Sequence, residues 1–142
     1  MQTIHVPAGQ RAEVILADGT HVWLNSRSTL KFSEQFSANT RNVELDGEGY
    51  FSVQHNEKNP FTVQTPKYTI QVLGTEFNVK AYHNSPLFET ALIKGSVEIT
   101  SPELSQSLRL KPDEIAVANN GRLETSHISD YNYFKWKEGL FC

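Results

Sequence analysis

Three carboxylates, Glu44, Asp46 and Glu48, recur at every second position of one short run, so a strand would carry all three on one face. Two carboxylates flanking a glycosidic bond can act as general acid and as base or nucleophile. Plain alternation accounts for the same spacing, because Val43 and Leu45 hold the opposite phase and a half-buried strand turns its polar side to water. A solvated sheet face is the expectation. The five histidines, His5, His21, His55, His83 and His127, show neither HxH nor HExxH spacing. A zinc or iron site would need the fold to gather its ligands from distant positions, and no metal or cofactor is expected. Cys142 is the single cysteine and ends the chain; a nucleophile there would need a base and an ordered pocket. There is no GxSxG elbow, and Gly47-Glu48-Gly49 lacks the helix that a phosphate cradle requires after it. Trp23 and Trp136 have the ring faces a carbohydrate-binding module uses, but Trp23 is expected in the core of a hairpin. No catalytic residue and no enzymatic activity are expected.

The elements that would position these residues are strands. The run from Pro60 to Tyr82 alternates Phe61, Val63 and Thr65 with Thr62 and Gln64, then Tyr68, Ile70 and Val72 with Thr69 and Gln71. Period-two alternation of β-branched and aromatic residues predicts strands buried on one face. Folding back at Pro66-Lys67 pairs 65 with 68, 63 with 70 and 61 with 72; Pro66 cannot supply a positive φ, so a turn wider than two residues is expected. Past Gly74 the apolar phase shifts to Phe77, Val79 and Ala81, the mark of a β-bulge. Gln10 to Leu24 predicts a hairpin about Asp18-Gly19, a preferred type I′ pair. That register sets Ile15 opposite Val22 and Val14 opposite Trp23, with apolar groups on both faces, so another element should cover it. Arg41 to Val53 predicts a strand pair interrupted by Gly47 and Gly49, and Asn119-Asn120-Gly121 a turn. Phe36 is expected to tuck inward from a loop. Only Ser129 to Lys137 has helical character. Gly19, Gly47, Gly74 and Gly95 each precede an alternating run, as where a chain turns corners at the rim of a sandwich or barrel.

With 142 residues the chain suits one core, and 38% apolar residues with eight Phe and five Tyr exclude a disordered chain. A formal charge of −3 without a basic block argues against nucleic acid as partner. Apolar runs reach only about four residues, far from the ~20 that span a bilayer. The expected class is all-β: a two-sheet β-sandwich, jelly-roll-like, with a short C-terminal helix.

LADGTHVWLNSRSTLKF (Leu16 to Phe32), VELDGEGYFSV (Val43 to Val53), NPFTVQT (Asn59 to Thr65), VLGTEFNVKAY (Val72 to Tyr82) and LIKGSVEI (Leu92 to Ile99) stand in the order and at the spacings of the FecR family, which the chain resembles from Val6 to about Leu123. KWKEGLF (Lys135 to Phe141) resembles the lead into the small α/β domain that follows in Bacteroidetes-type members. The resemblance implies an all-β periplasmic domain over residues 3–125, then a linker and the truncated start of the next domain over 126–142. It implies a transmembrane anti-sigma regulator of cell-surface signalling: a single-pass inner-membrane protein whose cytoplasmic segment, absent here, binds an extracytoplasmic-function sigma factor. Its periplasmic part receives a signal from the N-terminal domain of a TonB-dependent outer-membrane transporter, through these strands or through the missing C-terminal domain. The motif residues look structural. Asp18, Gly19 and Gly74 are backbone positions, Gly47 and Gly95 are corners, and Trp23, Phe61 and Phe77 are core. The competing reading is a carbohydrate-binding or cupin-like β-sandwich.

Overall fold

Thirteen short strands and one terminal helix carry the whole described chain, which in this computed structural model comprises residues 2–101, 106–119 and 122–138. The strands are β1 (Gln2–His5), β2 (Ala12–Ile15), β3 (His21–Leu24), β4 (Thr29–Phe32), β5 (Arg41–Ser52), β6 (Phe61–Gln64), β7 (Thr69–Val72), β8 (Glu76–Ala81), β9 (Leu87–Lys94), β10 (Val97–Ser101), β11 (Gln106–Leu110), β12 (Glu114–Asn119) and β13 (Leu123–His127), and a 3-10 helix follows at Tyr131–Glu138. Asn120, Gly121 and Cys142 lie outside the described residues.

The all-β expectation holds. Where two separate packed sheets were expected, hydrogen bonds join all thirteen strands into one sheet, nearly closed into a barrel. The joint is β5. Its first half pairs with β4 and in parallel with β6, and its second half pairs with β3 and β8. The sheet therefore has two wings. The first holds β1, β4, β6, β7, β10 and β11, the second β2, β3, β8, β9, β12 and β13. The chain visits them by turns, and its crossings are where the backbone is unusual. Gly9, Arg27, Gly95 and Asp113 have positive φ in four of the crossings, and Gly47 (φ 131°) lies where β5 passes from one wing to the other.

Gly47 and Gly49 do not interrupt a strand pair, as the sequence suggested; β5 runs through both for twelve residues. At Gly47 a Cβ would lie 2.6 Å from the Ser28 Cα, so only glycine lets the corner and the Asn25–Ser28 crossing touch. Gly74 is a corner too, but not the expected bulge. It sits between β7 and β8, where a Cβ would meet the His55 Cα at 2.6 Å, and the register shift falls between Glu76 and Phe77.

Two turns also differ from expectation. In the first hairpin Val14 pairs with Val22 and Glu13 with Trp23, one residue away from the type I′ register. Gly19 alone of the Asp18-Gly19 pair has positive φ (89°), and the Gly19 N–H donates to the Leu16 carbonyl at 2.9 Å. That is the wider, three-residue loop with a left-handed glycine. The second hairpin keeps its expected register, Phe61 with Val72 and Val63 with Ile70. Its turn is tight rather than wide. Thr65 N–H donates to the Tyr68 carbonyl at 2.9 Å, and the Thr65 hydroxyl oxygen accepts the Tyr68 N–H at 3.0 Å, replacing the backbone geometry that Pro66 denies.

The core lies between the wings. Phe51 of the second wing and Phe61 of the first are fully buried and meet edge to face at 6.1 Å; Phe77 stacks on Phe51 at 5.1 Å. Phe36 joins Phe61 from its loop, as expected. Each such ring contributes about 1.5–3 kcal/mol by leaving water, and the contact across the wings holds the sheet curled.

Candidate functional site

Beyond the Gly47 corner the outward face of the second wing is not a solvated one. Trp23, Tyr50, Asn78, Ala91 and Ile115 form a row across it by their pairing, a stripe apolar at every position but Asn78 and in need of a cover. The terminal helix supplies it. Phe134 and Trp136 pack into a second cluster with Tyr50 and Ala91, flanked by Trp23, Ile93, Ile115 and Ile128. This is the element the two-faced first hairpin called for. It is a 3-10 helix, Tyr131–Glu138, placed close to the expected 129–137.

Glu48 is sealed beneath that cover, 2% exposed, and so departs from the solvated face expected of the three carboxylates. Asn25 Nδ2 donates to its Oε1 at 3.0 Å, Asn78 Nδ2 to its Oε2 at 3.0 Å, and the Tyr133 hydroxyl to the same Oε2 at 2.6 Å. Trp136 Nε1–H donates to Asn78 Oδ1 at 3.3 Å. Burial, then the Glu48 charge, push the Tyr133 phenol well above its usual range, and burial followed by Glu76 pushes Tyr50 up to about 12. Both hydroxyls therefore stay protonated at neutral pH, and Tyr133 remains a donor. The other two carboxylates have different surroundings: Glu44 is exposed, and Asp46 holds His83 Nδ1 at 2.6 Å. A glycosidase pair must converge on one cleft; these three do not.

A second buried charge pins the opposite region. Arg41, 2% exposed, meets Asp18 Oδ2 at 3.3 Å. Its guanidinium also donates to the carbonyls of Asn59 (2.7 Å), Gln54 (2.6 Å), Asn56 (3.3 Å) and Leu73 (3.2 Å). Asp18 in turn accepts the Thr20 N–H and hydroxyl at 2.9 and 2.8 Å. Asp18 is thus more than a turn former. Arg41 was not singled out from sequence, and Glu48 only as one of three alternating carboxylates expected to face water. The signal for Glu48 was that Tyr50, a large aromatic, shares its face.

The remaining sequence candidates fall apart in space or serve the scaffold. Phe61 and Phe77 are buried, and Trp23 is half-buried on the outer face, edge-on to Tyr50 at 5.9 Å, rather than in the hairpin's core. Gly95 turns the chain from β9 into β10 with φ 101°. His5 bonds Thr29, His21 lies by Glu13 and His55 by Glu57. Among the described residues no three His, Cys, Asp or Glu side chains converge as metal ligands, and no helix is long and apolar enough to cross a membrane.

Two crystal structures share this fold. Each is that of a "putative anti-sigma factor" from Parabacteroides distasonis. One superposes with a TM-score of 0.90 at 33% identity over 98% of this chain and 66% of that one. The other gives 0.89 at 34% identity over 97% and 65%. The chain thus spans just under two thirds of those proteins. No curated protein matches it. The model of the FecR protein family matches residues 2–98, a span that takes in the Asp18-Gly19 turn, the Gly47 corner and the strands that bury Phe61 and Phe77. The chain belongs to the FecR family.

Proposed function

We propose that this chain is the periplasmic signalling module of a transmembrane anti-sigma regulator, relaying the state of a TonB-dependent outer-membrane transporter toward an extracytoplasmic-function sigma factor. The observation that carries the reading is the family match over residues 2–98 together with a shared fold at one-third identity to proteins described as anti-sigma factors. Its action is binding and mechanical transmission rather than catalysis. The scattered carboxylates and histidines support that, as does the use of the deeply buried charges Arg41 and Glu48 to tie loops and the terminal helix to the sheet. The alternating visits to two wings fit a jelly-roll-like, two-layered arrangement. Each wing ends in edge strands, β1 and β11 in the first, β2 and β13 in the second, where a partner could add a strand through free backbone groups. In this reading the sigma factor is bound by a separate cytoplasmic segment of the regulator rather than by these strands.

Calorimetry with the signalling domain of the transporter tests the reading, using this chain and a version extended beyond Cys142. Equal affinity places the contact on these strands, and binding by the extended form alone places it beyond them. No binding by either sinks the proposal.

A further inference from the structure

We propose that Tyr131–Glu138 is a displaceable strap that closes over the Glu48 carboxylate and opens without unfolding the sheet beneath it. This goes beyond the transporter reading and does not rest on it.

The strap's attachment is the first argument. Among the described residues, the last backbone hydrogen bond tying this end of the chain to the rest of the domain is Ile128 N–H to the Asp113 carbonyl at 2.8 Å. After it the strap is held by side chains: Tyr131 on Asp113, Tyr133 on Glu48, Trp136 on Asn78, and the buried faces of Phe134 and Trp136. Its anchoring is concentrated in the two buried rings, Phe134 and Trp136, while Tyr131 and Tyr133 are exposed; a segment held at so few points, with no ladder of its own, is the kind that opens locally, below the free energy of global unfolding. Its backbone adds little resistance. Eight residues of 3-10 helix exceed the three or four at which this geometry usually stops, because its hydrogen bonds are poorly aligned.

The second argument is what remains when the strap leaves. Glu48 keeps the Asn25 and Asn78 amides, and water can take the place of the Tyr133 hydroxyl. A buried charge stripped of all partners is costly; this one is not stripped. Arg41 offers the contrast, since all its partners, Asp18 and four carbonyls, belong to the sheet and its loops. One buried charge is locked from every side, and the other is closed on one side by a removable donor.

The strap also reaches the interior wiring. Glu48 accepts the Asn25 N–H at its backbone carbonyl at 3.0 Å, and Ser28 bonds both its N–H and its carbonyl. These residues form the crossing from β3 to β4. Displacement of the strap is therefore felt where the wings join.

Hydrogen exchange followed by mass spectrometry, on this chain and on Tyr133→Phe, decides the matter. Removing the hydroxyl deletes one bond to a charged group, and strap amides should exchange about 10- to 100-fold faster, with β8 and β9 amides unchanged. Wild-type strap amides should already exchange well ahead of those strands. If strap and strands exchange together in both proteins, or the substitution accelerates both alike, the strap is a fixed part of the fold and the proposal falls.

Discussion

Tyr133 donates its hydroxyl to Glu48 at 2.6 Å across 85 residues of sequence. The pair joins the last helix to the middle of the longest strand, and it places a phenol against a negative charge in a site shielded from water. Tyr133 as a residue is exposed although its hydroxyl bonds the buried Glu48, so the bond works as a plug rather than as core packing.

The protonation of this region sets a pH dependence. Tyrosine in an unfolded chain ionises near pH 10, whereas Tyr50 is pushed up to about 12 and Tyr133 also lies above the ordinary value. Between those limits the folded state holds protons that the unfolded state has released, so stability must fall as pH rises. The contribution is complete below about pH 10 and, for Tyr50, is lost toward pH 12; solvent screening reduces it to on the order of 1–2 kcal/mol. Denaturant titrations at stepped alkaline pH, with tyrosinate absorbance recorded in parallel, measure it. Ordinary ionisation of every tyrosine near pH 10 in the folded protein would contradict the assignment.

Arg41→Met should destabilise the domain by about 3–5 kcal/mol. The substitution leaves Asp18 buried without its cation and four carbonyls short of a donor. Urea unfolding gives the number. A loss below about 1 kcal/mol would mean that water enters and satisfies these groups.

Gly47→Ala should cost far more than Gly9→Ala, although both glycines have positive φ. At Gly9 no atom of the described residues lies within 4 Å of an added Cβ, whereas at Gly47 it would come within 2.3 Å of the Ser28 Oγ and 2.6 Å of its Cα. Left-handed strain alone is about 1–2 kcal/mol. The difference between the two melting temperatures isolates the collision, and equal shifts would show that the crossing yields.

Thr90→Val should stabilise the fold. Thr90 is fully buried, and among the described residues its hydroxyl oxygen has no hydrogen-bond partner. Valine keeps the shape and removes the unsatisfied group, a gain of about 1 kcal/mol. A loss on thermal denaturation would show that a bound water satisfies the hydroxyl.

Much of the architecture is a local property and could be read residue by residue. Alternation alone defines Phe61–Gln64 and Thr69–Val72 as strands and sets Phe61 against Val72, because side chains in a strand change face at every residue. The same logic places Phe61 and Phe77 inward and marks Gly47, Gly74 and Gly95 as corners. The five FecR-like motifs settle the family for a similar reason: they are contiguous stretches, legible without knowing what they touch.

Tertiary structure decided what depends on partners far away in sequence. The register at Asp18-Gly19 differs from the two-residue rule, and the Asp18 carboxylate there is engaged by Thr20 and Arg41, a residue more than twenty positions on. β5 stays continuous through two glycines because each half has strands on both sides to hold it. Glu44, Asp46 and Glu48 look alike in the sequence, yet only the third is sealed, since whether a strand's outer face meets water depends on what else folds onto it. Here that is a helix at the far end of the chain; Tyr50 on the same face hints that something covers Glu48, but not what.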